Sequence, residues 1–431
     1  MLLYSTNHQS PLVGFKSAVL NGLAEDGGLF MPKELPKPDA HFWNNLTGKS
    51  LSHIAYEVFR ILLKDEFPAT QIRSIVDDVF TFEAPLVKLD QDLYTLELFH
   101  GPTLAFKDFG ARMMAAIMAS YAQKSNDKIN ILVATSGDTG AAVAQGFSGV
   151  SGIQVYVLYP KGKVSHLQEK QFTTLGGNIT AMEVDGNFDD CQRMVKSAFA
   201  DQELSKKLNL TTANSINIAR LLPQMIYYIY AVAQLDADHK PVVFSVPSGN
   251  FGNLTAGLMA QKLGLNVHRF LASTNQNKVV PVYLAGNDFK PAPSLESISN
   301  AMDVGNPSNF ARMVELFDGD RALMQASVEG AYFSDDETRV AIKEAYDKYG
   351  YTFDPHGAVG YAGLKTYRER EGDSFEGIIL ATAHPAKFPE TVEQVTGGKI
   401  PVPKQLAELE QKKKEAVPLR NDYKHLKAYF S

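Results

Sequence analysis

One cysteine, Cys191, and one tryptophan, Trp43, occur among 431 residues. A lone cysteine excludes an intrachain disulfide, and no His or Cys cluster of metal-ligand spacing lies near it, so neither a disulfide framework nor a zinc site is expected to organise the chain. Such cysteine usage fits a reducing compartment, and a cytoplasmic protein is the expectation. Long apolar runs are missing as well. No stretch of about 18 apolar residues is available to span a membrane, and MLLYSTNHQS lacks the charged segment and apolar run of a secretory signal. Excess positive charge is also absent: 42 Lys and Arg against 48 Asp and Glu leave a net charge of -6, which offers no general attraction for nucleic acid. An anionic ligand would need a local site. The length exceeds what one hydrophobic core serves and points to roughly two or three domains.

What is present is a recurring unit of short apolar run, Gly/Ser/Asn/Asp turn and helix-like segment. INILVAT (129–135) leads into SGDTG and AAVAQGF, VVFSV (242–246) into PSGNFGN and LTAGLMAQKLG, and ITAMEV (179–184) into DGNFDD and CQRMVKSAF. IQVYVLY (153–159), RFLAST (269–274) and GIILATA (377–383) are further β-rich runs. Runs that are apolar throughout belong to strands covered on both faces, so their alternation with helices predicts an α/β fold of mostly parallel sheets flanked by helices. Ligands of such sheets sit beyond the carboxyl ends of the strands. SGDTG, PSGNFGN and TAHPAKF all fall there, which predicts one crevice built from several loops. Residues 1–95, with LSHIAYEVFRILLKD among Pro-rich turns, read as an N-terminal accessory domain. Residues 96–403 read as the main region of two α/β subdomains, the smaller roughly 110–220. Residues 404–431 read as a C-terminal tail in which KQLAELEQKKKEAV has the charge pattern of an exposed helix.

HGPTLAFKDFG (100–110) sets Lys107 between Phe106 and Phe109 where a loop turns into a helix, with Met113, Ala116 and Ile117 following at helical spacing. A cation there opposes the helix dipole. Either the side chain reaches water and pairs with Asp108 or Glu97, or burial and the dipole lower its pKa and leave a nucleophilic amine. PSGNFGN (247–253) precedes a helix; its glycines let backbone N–H groups converge and Ser248 and Asn250 add polar side chains, an anion cradle suited to phosphate. It matches neither GxxxxGK[ST] nor a GxGxxG turn with an acidic ribose ligand, so nucleotide readings are weak. SGDTG (136–140) repeats the arrangement. Asp138 is unsuited to an anion, which leaves the amides and the Ser136 and Thr139 hydroxyls as donors, with Asp138 a candidate cap for the helix starting near Thr139. ANSINIAR (213–220) gathers Asn214, Ser215, Asn217 and Arg220, a set for a second phosphate or a carboxylate. The stretch alone favours a polar helix start with Arg220 in a surface ion pair.

Together and in this order, HGPTLAFKDFG, ATSGDTGAA, ANSINIAR, VPSGNFGN, DPHGAVG and ATAHPAKFPETV resemble the threonine synthase family, pyridoxal 5'-phosphate (PLP) enzymes of fold type II. LAEDGGLFMP is similar to the start of that family, and the resemblance covers nearly the whole chain. It implies that Lys107 holds PLP through an imine and later moves protons. It also implies that Ser248, Gly249, Asn250, Phe251, Gly252 and Asn253 bind the cofactor phosphate and that Thr382 hydrogen-bonds the pyridine nitrogen. Ser136, Gly137, Asp138 and Thr139 would receive the substrate α-carboxylate, with Thr103 also among the substrate-binding residues. Asn214, Ser215, Asn217 and Arg220 would hold the substrate phosphate.

The implied reaction converts O-phospho-L-homoserine and water to L-threonine and phosphate by γ-elimination and β-addition of water, the last step of threonine biosynthesis. A serine/threonine dehydratase-like lyase, or a threonine synthase-like phospholyase, is the alternative; a dehydratase would not need Arg220. A protein that merely carries PLP would not need a reactive Lys107. The expected partner is the small-molecule substrate, with no nucleic acid, membrane or metal, for a chain acting as a monomer or small homo-oligomer. His100, His356 and His384 stand singly on separate segments and read as structural. DPHGAVG reads as a turn near the cofactor.

Overall fold

The computed structural model describes residues 1–122 and 128–430. β1 (Leu2–Ser5), β2 (Val13–Gly14) and β3 (Phe30–Pro32) form a small antiparallel sheet. Helices Leu51–Leu62 and Ala69–Val79 follow, and the four-residue spacing of Ile54 and Val58, and of Ile72 and Val76, puts one buried stripe on each. β4 (Leu86–Asp90) and β5 (Leu93–Glu97), which fall largely within the residues 1–95 expected as an accessory domain, belong to a larger sheet.

β6 (Ile129–Ala134), β7 (Ile153–Pro160), β8 (Ile179–Asp185) and β9 (Leu210–Thr211) build the smaller sheet. The chain returns to the larger one with β10 (Val242–Pro247), β11 (Arg269–Thr274), β12 (Val328–Tyr332) and β13 (Glu376–Ala381), and β14 (Val417–Arg420) closes the smaller. The orders are β12-β11-β10-β13-β5-β4 and β14-β8-β7-β6-β9, parallel throughout except for β4 against β5. This is the expected α/β architecture. Every residue of β10 and β13 is buried, the reason their sequences do not alternate. Helix Lys107–Ala122 packs on helices Asp138–Phe147 and Ile218–Leu221.

The C-terminal segment is not a free tail. Helix Lys404–Glu410 ends before the lysine run, Lys414 pairs with Glu169 and Glu183, and β14 extends the smaller sheet along β8. Helix Tyr423–Tyr429 then packs on helix Phe188–Ala200. A local charge pattern cannot show this, because the partners lie far back in the chain. No described helix is long and apolar enough to cross a membrane. The loops after β6, β9, β10 and β13 all open at strand carboxyl ends onto one cleft of about 1170 Å³.

Candidate active site

Helix Lys107–Ala122 begins at Lys107 itself, and its phenylalanine neighbours have separate roles. Phe109 is fully buried, its ring 4.9 Å from that of Phe82 and 5.5 Å from that of Tyr227, and so anchors the first turn. Phe106 lines the cleft with Lys107 Nζ 5.9 Å from its ring centroid. Neither anion weighed as a partner takes the ammonium. Asp108 accepts from Thr103 N at 2.8 Å and Thr103 Oγ1 at 2.6 Å, while Glu97 meets His100 and Tyr351 at 2.7 and 2.9 Å. Burial lowers the Lys107 pKa to about 8; Asp138 opposes the shift, and Arg220 and Lys387 add to it. A usable fraction of free amine therefore exists near neutral pH.

Thr103 is buried with its hydroxyl on Asp108, and its carbonyl accepts from Gln171 Nε2 at 3.0 Å and Lys387 Nζ at 2.8 Å. It shapes the turn before Lys107 and lies outside the cleft lining, contrary to the expected substrate contact. Asp138 is also not the expected cap: Gly137 holds the N-cap position without a side-chain bond. The Asp138 carboxylate is buried against Lys387 Nζ at 2.5 Å and accepts from Gln168 Nε2 at 2.7 Å. Burial alone would raise its pKa, but Lys387 and Lys107 hold it well below the usual carboxylate range. The negative charge that made an anion cradle awkward is thus neutralised from β13's loop. Lys387 escaped the sequence reading although it sits in ATAHPAKF; a lysine inside an apolar Pro/Ala segment was the available signal. Removing it leaves a buried carboxylate unpaired, so Lys387→Met is expected to destabilise the protein by about 3–5 kcal/mol. An unchanged thermal melt would show that Gln168 suffices.

Thr135, at the end of β6, accepts the amides of Gly137 and Gly140 at 3.0 and 2.8 Å. The Asp138 and Thr139 amides, in the first helical turn, have no intrahelical acceptor. They stand with the Ser136 and Thr139 side chains on the cleft wall. Gly137 is required here, since φ is 143° and a Cβ would lie 2.8 Å from the Gln168 side chain.

In PSGNFGN much of the polar content holds the loop itself. Ser248 is buried, its hydroxyl on Val246 O at 3.1 Å and its amide on Ser273 O at 3.0 Å, and Asn253 Nδ2 bonds Pro247 O at 2.7 Å. Ser248 does not line the cleft; Gly249, Asn250, Phe251, Gly252 and Asn253 do. Asn250 ties neighbouring walls together, with Nδ2 on Ser215 Oγ at 2.5 Å and Oδ1 accepting from Ser308 N at 2.6 Å. The left-handed residue is Phe251, at φ 59°, and not Gly252, which opens helix Gly252–Leu263. Gly249 is the position without room: a Cβ would sit 2.7 Å from Met302 Cα and 2.8 Å from Ala301 O. The Gly252 and Asn253 amides are left as donors at the helix start.

ANSINIAR divides in two. Asn217 is fully buried as the cap of helix Ile218–Leu221, accepting from Ala219 N at 3.0 Å and giving Nδ2 to Val19 O at 2.8 Å. It joins the N-terminal unit to the main body and does not line the cleft. Asn214, Ser215 and Arg220 do line it. Arg220 is 3% exposed, which excludes the surface ion pair. Its Nη1 donates to Ala213 O at 2.6 Å, its Nε has no acceptor, and no carboxylate pairs with it among the described residues. Asn214 Oδ1 is likewise buried without a partner. Thr382, after β13, lines the cleft; its carbonyl accepts from Phe106 N at 2.9 Å, and its hydroxyl has no hydrogen-bond partner among the described residues.

Further wall comes from residues 292–308, a stretch without motif character in sequence. His356, buried in DPHGAVG, braces it: Asp354 accepts from His356 Nδ1 at 2.6 Å, and His356 Nε2 takes Ala301 N at 3.1 Å. His384 caps the short turn Pro385–Lys387 through Ala386 N, and burial lowers its pKa to about 4. The three histidines do not meet as a cluster.

A lysine of lowered pKa, backbone anion cradles and an unpaired guanidinium on one wall suit a phosphorylated aldehyde and a second phosphate. Residues 81–379 match the pyridoxal-phosphate dependent enzyme family, 3–80 the threonine synthase N terminus and 357–430 the threonine synthase C-terminal family. Threonine synthase of Haemophilus influenzae is 46% identical over 430 residues, spanning 100% of this chain and 99% of its own length. The chain belongs to the threonine synthase family. Threonine synthase from Escherichia coli superposes with a TM-score of 0.93 at 43% identity over 100% of this chain and 99% of that one. PLP-bound threonine synthase from Brucella melitensis does so with 0.93 at 35% identity over 100% and 98%. Membership of the threonine synthase family makes the chain a PLP-dependent lyase, and the dehydratase alternative is not favoured. The cleft fits the cofactor, because Gly249 leaves no space for a side chain beside donors at a helix start and Lys107, on the same cleft, has no hydrogen-bonded carboxylate among the described residues. Gly249→Val is expected to weaken PLP retention by about tenfold or more, and more than Gly252→Val does, since the Met302 backbone must move. PLP binding measured by fluorescence quenching checks this; equal effects would move the tight approach away from Gly249.

Proposed function

We propose that the cleft converts O-phospho-L-homoserine and water to L-threonine and phosphate. Arg220 carries this reading. A buried cation in a cleft wall, with a free N–H and no carboxylate paired to it among the described residues, calls for an anion with several acceptor oxygens. A substrate without phosphate would leave Arg220 facing neutral groups. The Asn214 amide, turned about its terminal torsion, can present its NH2 to the same anion.

When bound, PLP supplies the electron sink for carbanion chemistry. Lys107 would hold its aldehyde carbon, the Gly249–Asn253 loop its phosphate and the Thr382 hydroxyl its pyridine nitrogen. Lys107 Nζ, its pKa near 8, is suited to take the substrate α proton and to return protons later. The amides of Asp138 and Thr139, with the Ser136 and Thr139 hydroxyls, would hold the α-carboxylate, the Asp138 charge being cancelled by Lys387. Asn214, Ser215 and Arg220 would hold the γ-phosphate and stabilise it as it leaves. Thr103, Asn217 and Ser248 act behind the wall by shaping these loops. A cytoplasmic location belongs to the same reading, supported by the single, buried cysteine. The test is an assay of the holoenzyme with O-phosphohomoserine, following phosphate and threonine together. Equal release is expected; phosphate accompanied by 2-oxobutyrate instead would make the protein a phospholyase.

A further inference from the structure

Arg312, on helix Phe310–Leu316, is completely buried, yet it takes no part in any sequence motif. All its bonds go to neutral oxygens: Nε and Nη2 to Phe30 O at 3.2 and 2.9 Å, Nη1 to Asn309 Oδ1 at 2.8 Å and Ser215 O at 3.4 Å, and Nη2 to Ile216 O at 2.7 Å. No carboxylate pairs with it among the described residues. Ser215 and Ile216 line the cleft, so the guanidinium stands directly behind its wall. Four consecutive carbonyls of that wall are tied to donors: Ala213 O to Arg220 Nη1, Asn214 O to Asn217 N, and Ser215 O and Ile216 O to Arg312. Carbonyls turned into the cleft would repel an anion. Held this way, they leave the side chains of Asn214 and Ser215 to face it, and the buried charge favours an anion across one peptide of low-dielectric wall. Phe30 lies in LAEDGGLFMP, so the same side chain connects that N-terminal segment to the site.

We propose that Arg312 is a positioning residue that makes 213–216 a phosphate site through its buried charge, and that it thereby helps select phosphorylated amino acids. This rests on the reading of 213–216 as the substrate-phosphate pocket. The test is calorimetric titration of inorganic phosphate into PLP-loaded wild type, Arg312→Met, Arg312→Lys and Arg220→Ala, with kcat/KM measured alongside. Arg312→Met should bind phosphate about tenfold or more weakly, and Arg312→Lys, which keeps the charge, within about threefold of wild type, with PLP absorbance kept in both. Equal weakening in both variants would reduce Arg312 to a brace and overturn the proposal, as would normal phosphate binding by Arg312→Met. Should Arg312→Met fail to fold, Arg312→Lys decides: near-normal affinity supports the proposal and a tenfold loss rejects it. Phosphate binding indifferent to Arg220 would reject the pocket itself. Binding lost in Arg220→Ala but kept in Arg312→Met would reject only the role of Arg312.

Discussion

Lys107→Ala abolishes threonine formation and removes the visible absorbance of covalently held PLP. No other amine among the described residues stands where Lys107 does. Lys163 and Lys196 also line the cleft but are solvent exposed, and Lys387 is fully buried against Asp138. Among the described residues, Lys107 alone combines a place on the wall with burial that lowers its pKa to about 8. Losing a base of this kind costs roughly 10²–10⁴-fold in rate, and losing the attachment of PLP adds to that. Borohydride reduction followed by peptide mass mapping checks the attachment without relying on turnover. A Lys107→Ala protein that kept both the absorbance and more than about one percent of the activity would remove the central assignment.

Arg220→Ala should lower kcat/KM for O-phosphohomoserine by roughly tenfold to a hundredfold, the loss of one charge-assisted hydrogen bond worth about 1.5–3 kcal/mol. The PLP spectrum should barely change, because the loop proposed to hold the cofactor phosphate, Gly249–Asn253, meets this segment through Asn250 and Ser215 and not through Arg220. The structure adds a second expectation. Ala213 O loses the donor it meets at 2.6 Å, so the variant should also melt lower, by about 1–3 kcal/mol of stability. Arg220→Lys keeps the charge but not the planar pair of donors and should fall between. Kinetics within about twofold of wild type would sink the phosphate-pocket assignment, and with it the main physical reason for preferring a phosphorylated substrate.

The six apolar runs read as strands became β6, β7, β8, β10, β11 and β13, because burial on both faces marks a sequence strongly. β4, β12 and β14 escaped notice for the opposite reason. Each lies at a sheet edge and is only partly buried, so composition hardly distinguishes it from a loop. Within the site, the glycine loops were legible from local pattern, whereas the Lys107 stretch left a water-facing ammonium and a buried amine both open. The roles of Ser248, Asn217 and Thr103 were not legible, since a polar side chain that satisfies its own loop has the same letters as one that awaits a ligand.

By itself the sequence determined the architecture and the place of the cleft: apolar runs dictate buried parallel strands, and turns rich in Gly, Ser and Asn at their carboxyl ends dictate where donors collect. These are properties of neighbours in the chain. Only the tertiary structure decided which charges are compensated and which are not. Asp138 is neutralised by Lys387, on the loop beyond β13, whereas Arg220 and Arg312 are buried with only neutral oxygens as hydrogen-bond acceptors among the described residues. Such pairing depends on which distant segments meet in a low-dielectric interior, where an ion's cost is set by its surroundings and not by its position in sequence.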